Sequence, residues 1–438
     1  MKKHLSWVLL ILCCLFTGCS AKSFSETDTK VLTLAVFQNS SQLQEANLLQ
    51  WVNLYNENHS DIKIEIVNYL NKYPDLDDAL NQIKIEINAG KGPDMINFGT
   101  EYSPIDASCG MMTDLYPYLQ NDESFDKQDF YYNILEAFEV GNSLYALVPG
   151  YKIDSYTTVN KELANLEKMD IKDLVNAYNM LDKESILFPG ETKKAVFGMI
   201  CYGSLENYID WDEGTCNFDS ESFRDILHFS NQFPLYLNIS DDYSPKKIIA
   251  EGHALLYPVS IDNVYEPTGI RMLYGKTPAY IGYPFDSGYG SMAAITDIAI
   301  GISSTSRNKE AAWQFIKSLL DSEFQDNIQT GLPLRVSSLE QKLKNALRPE
   351  YDANGEKIAK KSLRFDGEEP VNIYEISGED AETLKLIISK IEYNAAVDYN
   401  LYYIMLEEID YLFNDSRSVE DVAKIIQNRA SIYISENK

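Results

Sequence analysis

The chain has 438 residues, 45% of them hydrophobic and 24% charged, with a formal net charge of −28 at pH 7. The apolar share suits a folded globular chain and excludes a disordered one. The charge repels nucleic acid and anionic lipid, which excludes a nucleic-acid partner; spread without a long acidic block, it argues only weakly against an anionic substrate.

At the start, Lys2 and Lys3 form a positive head, and Leu5 to Phe16 is an apolar run of about a dozen residues, well short of the roughly 20 that a spanning helix needs. The run closes in Phe16-Thr17-Gly18-Cys19, which resembles a bacterial lipobox. That resemblance implies a signal peptide over residues 1–18 and a lipid on Cys19, although Phe16 stands where the motif prefers Leu. Cleavage after Ala21, or a cysteine buried in an uncleaved anchor, is the alternative. No later stretch is long and apolar enough to span a bilayer, so the rest is expected to be soluble and outside the cytoplasm. Ala21 to Lys30 is rich in Ser, Thr and Lys, and residues 19–30 read as a flexible tether.

The domain opens with Val31-Leu32-Thr33-Leu34-Ala35-Val36-Phe37, a nearly continuous apolar run that predicts a strand buried on both faces. Ser41-Gln42-Leu43-Gln44 has capping-box spacing, and Leu48, Trp51, Val52 and Tyr55 follow at helical intervals. Ile62, Ile64 and Ile66 alternate with Lys63 and Glu65, the mark of a strand with one wet face. Leu76, Leu80, Ile83 and Ile87 form one helical stripe that ends at Gly90, and Met95 to Phe98 predicts a third strand. Strand, helix, strand, helix, strand predicts an α/β fold with a parallel sheet, whose ligand sits beyond the carboxyl ends of its strands. Residues 151–284 are aromatic-rich and less regular. Helices dominate toward the end; one carries Leu401, Ile404, Met405, Glu408 and Leu412 on a single face, and Ser418 opens the last.

Once the signal and Cys19 are set aside, Cys109, Cys201 and Cys216 remain, too few and too scattered for a disulfide framework or a zinc site. They read as small buried hydrophobes, with a Cys201–Cys216 bridge left open. His59, His228 and His253 lack metal-ligand spacing. The acid pairs Asp77-Asp78, Asp241-Asp242, Glu368-Glu369 and Glu407-Glu408 read as solvated faces, since neighbours on a helix or strand point apart.

Seven short segments, in order, carry a family resemblance. They are Gly90-Lys91-Gly92-Pro93-Asp94 before a strand; Gly110 to Leu115; Val140 to Pro149; Val159-Asn160-Lys161-Glu162-Leu163; Ala250-Glu251-Gly252-His253-Ala254; Lys309-Glu310-Ala311-Ala312-Trp313; and Gly331-Leu332-Pro333-Leu334-Arg335. Together they resemble the bacterial extracellular solute-binding proteins of family 1, the sugar-type cluster. The resemblance implies a two-lobed, type II-like periplasmic-binding-protein fold, each lobe a mixed sheet flanked by helices, with a helical C-terminal region. Residues 31–148 with 296–333 would form lobe 1, and 151–285 with 334–438 lobe 2. It further implies a monomer that captures a small solute, a mono- or oligosaccharide, and hands it to ABC permease subunits, without catalysis, cofactor or metal. The membrane would be reached through the N-terminal lipid only.

A sugar site needs flat aromatic faces, with carboxylates and amides for the hydroxyls. The chain holds 30 Tyr against 18 Phe and 4 Trp. Position selects Asn39, Thr100 and Glu101 at strand ends and Tyr151 after the first crossing between lobes. It also selects Tyr202, Tyr208 and Trp211 in an irregular aromatic stretch, and Asp286 and Tyr289 in a glycine-flanked loop. Where the family often places a stacking Trp, this chain reads Pro258-Val259-Ser260-Ile261-Asp262-Asn263. The stacking face must then come from elsewhere, with Trp211 the candidate, or the ligand is not a simple sugar. The rival functions are an exported carbohydrate-active enzyme and a sensor subunit for a membrane kinase.

Overall fold

The computed structural model describes residues 29–37, 47–102, 107–166, 169–210, 213–237, 244–284, 290–364, 369–395 and 398–436. In chain order it runs β1 (Lys30–Val36), α1 (Leu48–Asn58), β2 (Ile62–Asn68), α2 (Leu76–Asn88), β3 (Met95–Asn97) and α3 (Tyr116–Asn121). β4 (Gly150–Thr158) leads into α4 (Ile171–Asn179), α5 (Lys193–Ser204), α6 (Glu221–Ser230), β5 (Tyr257–Ile261), α7 (Glu266–Tyr274), β6 (Ala279–Tyr280) and β7 (Met292–Ile295). The remainder is β8 (Ile300–Ile302), α8 (Lys309–Ser318), β9 (Leu332–Pro333), α9 (Val336–Ala346), α10 (Gly378–Ser389), β10 (Tyr393–Asn394), α11 (Tyr399–Phe413) and α12 (Val419–Glu436).

The first sheet has the order β8-β3-β1-β2. β1 pairs in parallel with β2 (Leu34 opposite Ile66) and with β3 (Leu34 opposite Met95), while β8 runs antiparallel to β3. The expected strand–helix alternation is therefore present. Leu32, Leu34, Ala35 and Val36 are buried, as befits a central strand, whereas the edge strand β2 buries Ile62 and Ile64 and exposes Lys63 and Glu65. Asp75 caps α2 by accepting from the Asp78 N–H at 3.1 Å, and Gly90, at φ 68°, ends it in a left-handed turn. The Gly-x-x-Pro-Asp segment has a physical role. Asp94 accepts from Thr33 N (3.0 Å), Ser306 Oγ (2.7 Å) and Asn308 Nδ2 (3.2 Å), so one carboxylate joins β1 to the entry of α8. The capping box at Ser41 lies outside the described residues.

The second sheet is built on β4, which pairs antiparallel with β5, β6, β7 and β9; β10 runs parallel to β7. One face, with Tyr151, Ile153, Ala293 and Ile295, packs into a core continuous with the first sheet, α7 and α10. The other, with Tyr156, Met292 and Ala294, packs against α5, α6, α11 and α12.

Three backbone crossings connect the sheets, at Pro149–Gly150, Thr296–Ile298 and Gln329–Gly331, and they line one small cavity. Gln325, fully buried, donates to Pro149 O (2.9 Å) and Leu319 O (2.8 Å) and accepts from Arg335 N (2.9 Å). Thr296 Oγ1 donates to Gly150 O at 3.2 Å, and Thr330 hydrogen-bonds Asp297. Gly331 has φ 89°, and a Cβ there would stand 2.8 Å from Thr296 and from the Tyr151 carbonyl, so the packing of the crossings requires glycine. Cys201 and Cys216 are free thiols, Cys201 fully buried with its pKa pushed far up by desolvation. Among the described residues no helix is long and apolar enough to cross a membrane, and no group of three His, Cys, Asp or Glu could hold a metal ion.

Candidate ligand cleft

On the first sheet, β3 runs through Phe98 into a 3-10 turn, Gly99–Glu101. Asn97, fully buried, holds that turn: its Oδ1 accepts from Gly99 N (3.3 Å) and Ala299 N (2.9 Å), and its Nδ2 donates to Asp297 O (3.3 Å). The turn is thus tied to the second crossing. It projects Thr100, exposed, and Glu101, half-buried, with Thr100 Oγ1 donating to Glu101 Oε1 at 3.2 Å.

On the second sheet, β5, β7 and β10 end on the side toward the crossings, because Ile261 pairs with Ile153 and Ile295 with Tyr151. Past β5 come Asp262 and Asn263, then Glu266 at the first turn of α7. Asn263 Nδ2 donates to both Asp262 Oδ1 (2.5 Å) and Glu266 Oε1 (3.0 Å). Burial first, then the Asp262 charge, push the Glu266 carboxyl up to about 7, against the opposing pull of the Asn263 amide and Lys361.

Past β10, Asp398 caps α11 by accepting from Leu401 N (3.0 Å) and is held by the Tyr433 hydroxyl at 2.9 Å. The first turns of α11 expose Tyr399 (48%) and Tyr403 (60%). The Tyr399 hydroxyl is pushed above its ordinary value by burial, then by the charge of Glu101 and by Tyr403. The charge of Glu101 is thus felt at Tyr399, at the start of α11, and Tyr403 lies one turn further along the same helix. Tyr402 turns inward over α5; a Cβ at Gly198 would stand 2.9 Å from its hydroxyl, and burial followed by Cys201 raises its pKa to about 12.

Of the residues selected from sequence, Thr100 and Glu101 stand on this wall. Tyr151 is fully buried beside Tyr131, its hydroxyl without a hydrogen-bond partner among the described residues. Tyr208 is buried with its ring 5.6 Å from Phe218 and 5.3 Å from Phe223. Both are packed inside. Asn39, Trp211, Asp286, Tyr289 and Cys19 lie outside the described residues, as does the side chain of Tyr202. The sequence reading did not select Tyr399, Tyr403, Asp262 or Glu266, which the structure adds as candidates at element ends beside the crossings. The available signal was that Tyr399 and Tyr403 fall off the apolar stripe of α11. Glu407 and Glu408 are engaged by Arg429 at 2.6 and 2.7 Å, with Glu408 also paired to Arg417 at 2.5 Å.

Two α/β lobes, joined among the described residues by three crossings, make a two-lobed fold of the solute-binding kind. The profile of the bacterial extracellular solute-binding proteins matches residues 39–326. The chain belongs to that family. No curated relative matches it. Among solved structures it is similar to a periplasmic oligogalacturonide binding protein from Yersinia enterocolitica (12% identity, TM-score 0.57, 93% of this chain and 99% of that one). An ABC substrate-binding protein from Listeria monocytogenes in complex with cycloalternan is similar at 15% identity and TM-score 0.52, covering 93% of this chain and all of that one. The sugar-binding protein MalE from Xanthomonas citri gives 14%, 0.53, 93% and 98%. At such identities the likeness shows the fold alone.

Proposed function

We propose that this protein captures a carbohydrate in the cleft between Glu101 and Tyr399 and delivers it to the permease of an ABC importer. It does so as a monomer anchored outside the cell by a lipid on Cys19. The lobes are assigned as 31–148 with 296–333 and 151–285 with 334–438, the boundaries falling at the crossings. The observation that carries the reading is the exposure of Tyr399 and Tyr403 at the start of α11, with the charge of Glu101 reaching Tyr399: exposed phenol rings offer flat faces to sugar C–H surfaces, and a carboxylate accepts from hydroxyls by charge-assisted bonds. The sugar-binding names of the similar structures support it. A thermal-shift screen of the mature protein against mono- and oligosaccharides, amino acids and polyamines tests it. A ligand that binds only the folded state raises Tm with its concentration, and at least one saccharide is expected to do so. A rise with an amino acid or polyamine and with no saccharide would reject the carbohydrate reading.

A further inference from the structure

Away from the cleft, α3 and α8 lie side by side and leave a groove of about 550 Å³ between them. Its walls are helical ridges: Tyr118 and Asp122 at i and i+4 on one side, Glu310, Trp313, Gln314 and Lys317 on the other. The rings of Tyr118 and Trp313 meet at 5.8 Å and 37°, making an aromatic floor. Lys317 closes one end by pairing with Asp122 at 2.6 Å. Burial opposes ionisation of Asp122, but hydrogen bonds from Lys317 and Ser124 outweigh it and hold the carboxyl down to about 2.

The polar groups over the floor are less well served. Trp313 is 4% exposed, yet its Nε1 has no partner among the described residues, whereas Trp51 Nε1 donates to Ser318 Oγ at 2.9 Å. The Tyr118 hydroxyl, raised by burial and then by the nearby charge of Glu310, also lacks a hydrogen-bond partner among the described residues. The groove therefore offers two donors with no acceptor among the described residues, and the carboxylates of Glu123 and Glu310, over a flat apolar surface.

From this juxtaposition we infer that the α3–α8 groove is a second, low-affinity saccharide site, separate from the cleft. An anion is repelled by Glu310, and an ammonium ion supplies no acceptor for the indole N–H. A sugar hydroxyl is both donor and acceptor, and a pyranose face matches the ring of Tyr118. The groove shares no residue with the cleft, so occupancy of one does not depend on occupancy of the other.

The test labels the full mature chain with 5-fluorotryptophan, which gives Trp51, Trp211 and Trp313 separate fluorine resonances, assigned by Trp→Phe substitution. Methyl α-glucopyranoside, methyl β-galactopyranoside and maltotriose are titrated to tens of millimolar, with choline chloride as the cationic probe. At least one sugar should move the Trp313 resonance saturably, and Tyr118→Ala should weaken that binding by about tenfold in a chain that still melts cooperatively. Cleft binding is read separately, as the part of the thermal shift that Tyr399→Ala removes. A Trp313 resonance that no sugar moves would overturn the inference, as would one moved by choline alone. A shift that persists undiminished in both Tyr118→Ala and Glu310→Ala would report lobe movement and overturn it equally.

Discussion

At the residue scale the molecule places an ionisable group where its charge is costly. Glu266 is largely enclosed beside Asp262, and its carboxyl titrates near 7 instead of its ordinary 4.5. A carboxyl whose pKa is raised by folding binds its proton more tightly in the folded chain, so folding is favoured as pH falls. Stability attached to Glu266 is thus lowest above about 7 and is recovered as pH drops to about 4.5, a difference on the order of 3 kcal/mol. Replacing Glu266 by Gln keeps the bond to Asn263 and removes the charge. Urea unfolding of Glu266→Gln should be stronger than wild type by about 2–3 kcal/mol above pH about 8, with the gap closing below about 5. A variant that follows the wild-type pH profile throughout would show that Glu266 is not the titrating group.

At the element scale, α11 does two jobs with two faces. Leu401, Met405, Ile409 and Leu412 fill the second core, while Tyr399 and Tyr403 stand outside it. Because Tyr399 contributes to no core, its removal should cost binding and spare the fold. With whichever ligand the thermal screen identifies, Tyr399→Ala is expected to weaken affinity by about tenfold or more while the ligand-free Tm stays within a degree or two. Unchanged affinity in titration calorimetry would remove Tyr399 from the site. This element also shows how far the sequence could be read. β1, β2 and α2 were legible because their periods of burial are local properties: continuous for a central strand, alternating for an edge, one stripe for a helix. The position of Thr100 and Glu101 just past β3 was legible because the end of a strand is a local feature too. The partnership of Glu101 with Tyr399 was not, since it joins residues nearly three hundred positions apart through the register of two separate sheets. Nor could composition distinguish the packed ring of Tyr208 from a ring offered to a ligand; that depends on Phe218 and Phe223 meeting it from the turn before α6 and from α6 itself.

At the scale of the whole molecule, the proposed location rests on the first nineteen residues. A lipid of the usual kind holds a protein at the membrane by burying acyl chains, and one thioether-linked residue controls it. Cys19→Ser should therefore move the protein from the membrane fraction to the medium or periplasm in fractionated cells. Retention of the variant in the membrane fraction would discard the anchor. The crossings bear on what such a tethered protein can signal. Gln325 binds the first crossing, the chain just after the third and the end of α8 into one knot, and Asn97 and Thr296 stitch the second to its neighbours. Sliding or independent twisting would break several of these bonds at once, whereas a bend breaks none of necessity. These bonds favour bending over sliding, so a ligand held in the proposed cleft would be translated into one scalar, the angle between the lobes. A receptor that measures only that angle could grade ligands by bulk without touching any of them.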